Sequence, residues 1–410
     1  MAVSIAEVII LCLVADWALS RLKIPGLIGM LFIGVLFGPY VLGYLDPDLL
    51  AIGPDLRLIA LIVILLRAGF KLSRRELHRV GGRALLLAFI PALGEAVAIT
   101  LLGPLFLGLS YLEAAILGSI ISAVSPAVVV PMMIGFINQR RGDAKSIPTM
   151  ILAAVSVEDV FMIVVFSMLV GFYVGQDVHI AWRIAGIPLS IIVGILVGAA
   201  VGFVLYRLFE RVDPRATKRV LVVIALSVLL VRLEELVEAW IPFSALVAAM
   251  AIGFVILEKR EHMAHEISSK LGKIWVFAEI VLFAMVGAVV NVSVAWEAGF
   301  AGAGLIALGL IARGAGTQLC LLGSNLDLHE RLFVATAYIP KATVQAAIGA
   351  TPLLMMRAAG MDTGPGEVIL AVAVLSIVLT APLGALAISS VGDRVLTPAP
   401  EPGPLEEQDA

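Results

Sequence analysis

The chain has 410 residues, 61% of them hydrophobic and 14% charged, with 28 Lys and Arg set against 31 Asp and Glu; its mean hydropathy is +1.08. A soluble protein of this length needs a charged coat that this composition does not supply, so the chain reads as an all-α integral membrane protein. The balanced charge leaves no basic field for nucleic acid, and two cysteines, Cys12 and Cys320, are too few for a disulfide framework or a four-ligand metal site.

The apolar residues fall into blocks of about 17 to 27, the length that crosses a hydrocarbon core of roughly 30 Å. Thirteen blocks are predicted as spans: 4–20, 25–43, 55–70, 82–108, 112–136, 148–174, 183–209, 217–234, 242–258, 272–292, 298–323, 330–356 and 366–390. The first reads as a retained span rather than a cleaved signal, because it lacks a basic start and Glu7 and Asp16 interrupt it. The connections alternate between Lys/Arg-rich (KLSRRELHRVGGR, NQRRGDAK, YRLFERVDPRATKR, EKREHMAHEISSK) and Lys/Arg-poor (YLDPDLLAIGPD, LSYLE, RLEELVEAW, VSVAWEAG). The positive-inside rule then puts the N-terminus outside and the C-terminus in the cytoplasm. The Pro-rich, acidic tail TPAPEPGPLEEQDA reads as a disordered cytoplasmic segment, with no soluble regulatory domain expected.

The fifth block carries SAVSPAVVVP and the twelfth AYIPKATVQA, each with a proline at mid-membrane followed by small and β-branched residues. Proline removes a backbone N–H and clashes with the preceding turn, so both helices should break there, at Ser125–Pro126 and between Pro340 and Thr343. The fifth span runs inward and the twelfth outward. Two broken helices of opposite direction are what an inverted-repeat transporter needs, with spans two to six against nine to thirteen as the repeats.

Ionisable groups at mid-span are expensive and are usually paired or line a watery path. Glu158 and Asp159 in the sixth span, Arg313 in the eleventh and Lys341 in the twelfth stand near span midpoints. Adjacent helical residues point about 100° apart, so the two acids face different environments. One can meet a base, while the other faces the crossing of the broken helices, where freed carbonyls help to coordinate a hard monovalent cation. Desolvation opposes that carboxylate's charge and nearby bases favour it, so a cation and a proton can compete for one group. Lys341, just after Pro340, is expected to offset the negative carbonyl ends of the half-helices. Arg313, permanently charged and flanked by Gly309, Gly314 and Gly316, is a better ion-pair partner than proton carrier. Glu95 in the fourth span either reaches Arg313 or is a packing residue beside a cavity.

AVSPAVVVP (Ala123 to Pro131), the acids of SVEDV (Ser156 to Val160) and IPKATVQAAIG (Ile339 to Gly349), with RAGFKL (Arg67 to Leu72), together resemble the second family of monovalent cation/proton antiporters, closest to its NHA-like sodium/proton branch. The resemblance implies an NhaA-like fold of 13 transmembrane helices and a homodimer in the cell (inner) membrane, working by an elevator-like shift of a core against a dimerisation scaffold. On that pattern residues 1–81 are N-terminal, mainly scaffold helices, 82–174 the first core half, 175–297 linker and dimerisation helices, 298–391 the second core half and 392–410 the tail. It further implies Asp159 as the ion and proton carrier and the site of the monovalent metal cation, Glu158 as its neighbour, and Arg313, Lys341 and Glu95 as charge-compensating or pairing groups. The transported ions would be Na⁺ or Li⁺ and H⁺, with no cofactor. The chain departs from the family in one position: its first acid is Glu where Asp or Asn is usual. If Glu158 stays locked to Arg313, exchange is one for one; if Glu158 also releases a proton, exchange is electrogenic.

K⁺/H⁺ exchange and sodium-coupled uptake of an organic solute are the alternative transport readings. An intramembrane aspartyl protease would need its two acids on separate helices, so no enzyme is expected. His262 and His265, spaced i, i+3 among Glu258, Glu261 and Glu266, read as a solvated loop or short surface helix rather than a metal or pH-sensing site. Gly194, Gly198 and Gly202 form a small-residue ridge for dimerisation or for packing within the chain. Glu279 lines an access funnel or sits at an interface.

Overall fold

The computed structural model describes residues 2–21, 25–71, 74–142, 145–173, 180–237, 241 and 243–397. They form α1 (Ala2–Arg21), α2 (Gly26–Phe37), α3 (Pro47–Ala51), α4 (Gly53–Gly69), α5 (Arg74–Leu107), α6 (Tyr111–Ile121), α7 (Pro126–Asn138), α8 (Ile147–Tyr173) and α9 (Ile180–Val212). The chain continues through α10 (Ala216–Val237), α11 (Ala245–Lys259), α12 (Glu261–Ala288), α13 (Val292–Glu297), α14 (Gly299–Leu321), α15 (Leu328–Ala337), α16 (Thr343–Ile348), α17 (Thr351–Ala358) and α18 (Gly364–Val395). Each predicted apolar block falls on one helix or on a broken group: the fifth on α6 and α7, the twelfth on α15 to α17. Among the described residues, eight helical segments are long and apolar enough to cross a membrane, α6 with α7 counting as one.

Several predicted connections are helical instead. The basic stretch before the fourth block belongs to α5, which starts at Arg74, and EHMAHEISSK is the beginning of α12, with Met263, Ala264 and Ile267 buried, rather than a loop or separate surface helix. Hydropathy marks where a helix meets lipid, and strong helix formers such as Glu, Lys and Ala carry it on into water. The short α3 and α13 lie in two of the Lys/Arg-poor connections. The tail beyond residue 397 lies outside the described residues.

The two broken groups begin alike. Ser110 Oγ accepts from the Glu113 backbone N–H while Glu113 Oε2 accepts from that of Ser110, at 3.3 and 2.7 Å, a capping box that starts α6. Asp327 and Glu330 form the same box at the start of α15, at 2.9 and 2.8 Å. Each first half then stops, α6 at Ile121 and α15 at Ala337; Pro126 restarts one chain at the first position of α7, and Pro340 lies in the gap before α16. These shared starts and stops strengthen the echo seen between SAVSPAVVVP and AYIPKATVQA.

Buried apolar side chains gather in two regions. One joins α1, α2, α4 and α9 to α12 through residues such as Cys12, Leu31, Ile62, Ile252 and Phe283, and reaches α16 to α18 through Ala346, Leu353 and Ile377. The other is built from α5 to α8, α14, α15 and α18 in two clusters, one with Ile99, Leu117, Ile163, Leu305 and Val372, the second with Leu87, Val129, Ile151, Phe333 and Ile388. The glycine ridge of α9 is spent within the chain. A Cβ at Gly194 would lie 2.6 Å from Ser244 O, and one at Gly198 only 2.3 Å from Ala248 O, so α9 and α11 touch backbone to backbone. Of the two readings of that ridge, the structure shows packing within one chain.

Candidate functional site

Three helices and one helix break bring their charged residues together. Glu95 comes from α5, Glu158 and Asp159 from α8, Arg313 from α14, and Lys341 from the gap between α15 and α16. Their exposures are 0% for Glu95, Glu158 and Lys341, 1% for Arg313 and 4% for Asp159, so the charges answer to one another rather than to water. Gly309 and Gly316 are the local reason that α14 comes close enough to α5. A Cβ at Gly309 would lie 3.2 Å from Glu95 Cγ, and one at Gly316 3.0 Å from Pro91 Cα.

Arg313 is the hub. Its Nε donates to Glu95 Oε2 in a close contact, and its Nη1 donates to Glu158 Oε1 at 3.0 Å. The guanidinium also lies 5.7 Å from the ring centroid of the buried Tyr338. Lys341 Nζ donates to the same Glu95 Oε2 at 2.8 Å, while its backbone N–H donates to Thr380 Oγ1 of α18 at 2.9 Å. Glu95 thus joins both bases, which decides between its two readings. Lys341 takes the pairing rather than the carbonyl-facing part of its expected role. Its ammonium is turned to a carboxylate, and the carbonyl end of α6 is held by Gln345, whose Nε2 donates to the carbonyls of Ile120, Ile121 and Ala123 at 2.9, 3.3 and 2.8 Å.

Asp159 stands apart. It makes no ion pair with either base, and its buried Oδ1 has no hydrogen-bond partner. The sequence balanced two acids against two bases; with Glu95 drawn in, three carboxylates face Arg313 and Lys341. Two acids are paired, and Asp159 leaves one formal negative charge that one proton or one monovalent cation would cancel. At the starts of α7 and α16, Ser125 Oγ and Thr343 Oγ1 are also buried without hydrogen-bond partners. Between the two breaks, the Ser125 N–H donates to Pro340 O at 2.8 Å, tying the strand-like gaps together. The side chains of Ser156 and Val160, the ends of the SVEDV motif, lie outside the described residues.

The remaining candidates are placed elsewhere. Glu279 and Asp16 line a cavity of ≈ 380 Å³ that also touches Ala127, Val128 and Pro131 of α7, so Glu279 faces a cavity between the two regions. Arg67 lies 5.5 Å from the Trp275 ring centroid in a cation–π contact. His262 is exposed and sits 3.9 Å from Glu266 Oε1. Among the described residues, no group of three or more His, Cys, Asp or Glu is arranged to hold a metal ion. Gln345, Thr380 and Tyr338 were not singled out from the sequence. The available signal was a polar residue inside each apolar run, and Gln345 stands one helical turn after Lys341 in KATVQAAIG.

An all-helical membrane fold with paired broken helices and a buried cluster of acids and bases defines a class of ion-coupled transporters. Residues 8–392 match the family model described as sodium/hydrogen exchanger, transmembrane, and the chain belongs to that family. It is 33% identical over 348 residues to sodium/hydrogen exchanger 9B2 of Mus musculus, covering 83% of this chain and 63% of that protein. It is 30% identical over 358 residues to sodium/hydrogen exchanger 9B1 of Homo sapiens, covering 86% of this chain and 68% of that protein. These relatives agree with the NHA-like branch expected from the motifs. The chain thus spans less than two thirds of the length of the 9B2 relative. The solved structure of the sodium proton antiporter MjNhaP1 from Methanocaldococcus jannaschii at pH 8 superposes with a TM-score of 0.82 over 95% of this chain and 97% of that one, at 20% identity. At that identity the likeness speaks for the fold.

Proposed function

We propose that this chain exchanges one Na⁺ or Li⁺ for one H⁺ across a membrane, with Asp159 as the group that carries either ion. The observation that carries this reading is the uneven charge of the site: Arg313 and Lys341 are held by Glu95 and Glu158, while Asp159 forms an ion pair with neither base. A third paired acid would have made the cluster a structural brace. An unpaired one must take up a proton or a cation to cross the membrane interior, because a bare charge there is costly.

Glu158 acts as the fixed neighbour. Its bond to Arg313 at 3.0 Å keeps its charge compensated, which favours one-for-one exchange. The partner-free hydroxyls of Ser125 and Thr343, in the breaks around Pro126 and Pro340, offer neutral oxygens for a dehydrated cation. Thirteen spans with α2 to α8 and α11 to α18 as inverted repeats, N-terminus outside and C-terminus inside, fit the broken groups and the loop charges. The core is residues 82–174 and 298–391, moving against a scaffold of 1–81 and 175–297 that pairs with a second copy in the cell membrane. The glycine-tight joints of the scaffold suit an element that stays rigid while the core shifts.

Reconstitution in liposomes with an imposed pH gradient tests the reading. Addition of Na⁺ or Li⁺ should dissipate the gradient in the wild type, and Asp159→Asn should behave like empty liposomes. A flux that survives Asp159→Asn would refute the assignment, and dissipation with K⁺ alone would move the cation to potassium.

A further inference from the structure

The crossing of the broken helices is joined by one side chain that is neither acid nor base. Gln345, on α16, is fully buried, and its amide nitrogen lies within 3.3 Å of three backbone carbonyls at the end of α6. Two of them, Ile120 and Ile121, are among the last carbonyls of a helix and have no successor N–H to meet. The third, Ala123, is in the break itself. The amide oxygen, Oε1, is buried and without a partner. A helix end of this kind carries about half a negative charge. A lysine or arginine side chain can also satisfy it, and Lys341 stands four residues earlier, in the break, with its ammonium committed to Glu95.

We propose that Gln345 is a positioning residue for cation binding: its neutral amide fixes the carbonyl end of α6 at the crossing without cancelling the negative potential that this end adds to the Asp159 site. This inference rests on the exchange reading above. Ile120, Ile121 and Ala123 belong to the same buried cluster as Met162 and Ile163, which lie three and four residues beyond Asp159 and so share its face of α8. α6 packs against α8, and its capped end shares one buried cluster with the helical face that bears the carrier. Hydrogen-bond satisfaction alone would be met by a lysine at position 345. A lysine would also bring a full positive charge to a place where the cation has to be attracted. The amide gives the bonds and leaves the field.

Two substitutions separate the two parts of this role. Gln345→Met keeps the length and removes the donors; Gln345→Lys keeps donors and adds charge. Cation-dependent proton flux in liposomes gives KM and kcat, and cation-induced thermal stabilisation of purified protein gives binding without turnover. Gln345→Lys should raise the cation KM and the half-saturating concentration about tenfold, the effect of removing a helix-end interaction of about 1.4 kcal/mol. Its kcat should stay within about twofold of wild type, since a loss confined to binding leaves the saturated rate unchanged. Gln345→Met should raise KM as well and also lower the melting temperature, because three buried carbonyls lose their donor. Gln345→Asn, one methylene short, should fall between wild type and Gln345→Met, and takes its place if Met at this position prevents folding. A purely structural Gln345 gives unchanged KM in every folded variant, with losses only in melting temperature and yield, and that result overturns the proposal. Absence of cation-dependent flux in the wild type itself would instead defeat the exchange reading.

Discussion

Around α2, α4, α9, α11 and α12 the helices close on one another by their backbones, and around α5, α8, α14 and the broken helices a similar approach, with a Cβ at Gly118 2.7 Å from Ala96 O, surrounds buried charges. In the first region a Cβ at Gly34 would fall 2.0 Å from Ala284 O, and one at Gly69 2.2 Å from Met250 O. Arg219, a buried base there, finds Asp213 and Glu266 at 2.6 and 2.9 Å, partners whose side chains are 86% and 42% exposed. In the second region the partners of every bonded charge at the crossing are themselves buried. Lipid gives helices little hydrophobic reason to associate, so close backbone contact is a direct way to build a stiff unit. Buried charges offer no such advantage and are retained where an ion has to be handled. On the exchange proposed above, the first region would serve as frame and the second as machine.

Substitutions in the two regions should therefore fail differently. Glu95→Gln, which takes the shared carboxylate from Arg313 and Lys341, should cost about 3–5 kcal/mol of stability, as expected when one partner of a buried ion pair is removed. Thermal unfolding in detergent measures it, and a loss below about 1 kcal/mol would mean that the two bases do not depend on Glu95. Gly198→Leu should force α9 from α11, costing about 1–3 kcal/mol and lowering the amount of folded protein while leaving the cation KM of the remainder unchanged. A changed KM would show that frame and site are not separable. Glu158→Gln keeps a hydrogen-bond acceptor for Arg313 and should cost about 1–2 kcal/mol, with cation-dependent flux still measurable; complete loss of flux in folded protein would make Glu158 a second carrier. Lys145→Ala removes the peripheral contact to Glu330 at 2.6 Å and should change stability by less than about 1 kcal/mol, with flux as in the wild type.

The sequence carried the membrane class, the two breaks and the residues that meet at the crossing, because each leaves a local mark. Apolar block length reports span, Pro126 and Pro340 report broken ladders, and an ionisable residue in an apolar run reports a site. Partner choice leaves no such mark. Lys341 could be assigned to carbonyl ends or to an acid from its position after Pro340, and only the approach of α5 to α14 at Gly309 and Gly316 makes Glu95 the acid that it meets. The same approach turned an apparent balance of two acids and two bases into an excess of one carboxylate. Helix ends were misplaced at α5 and α12 because hydropathy changes at the membrane surface while the backbone hydrogen bonds continue. Gln345 was passed over because a neutral side chain in KATVQAAIG carries no charge to attract notice, although its three bonds to α6 hold the crossing together.

Counting the protons that leave the protein when the cation binds tests the charge excess most directly. In weakly buffered detergent solution, at a pH where the carrier is protonated, addition of saturating Na⁺ or Li⁺ should release about one H⁺ per chain from wild type and none from Asp159→Asn, since one unpaired carboxylate exchanges one proton for one cation. Release of two protons from wild type, or undiminished release from Asp159→Asn, would contradict Asp159 as the single exchanging group.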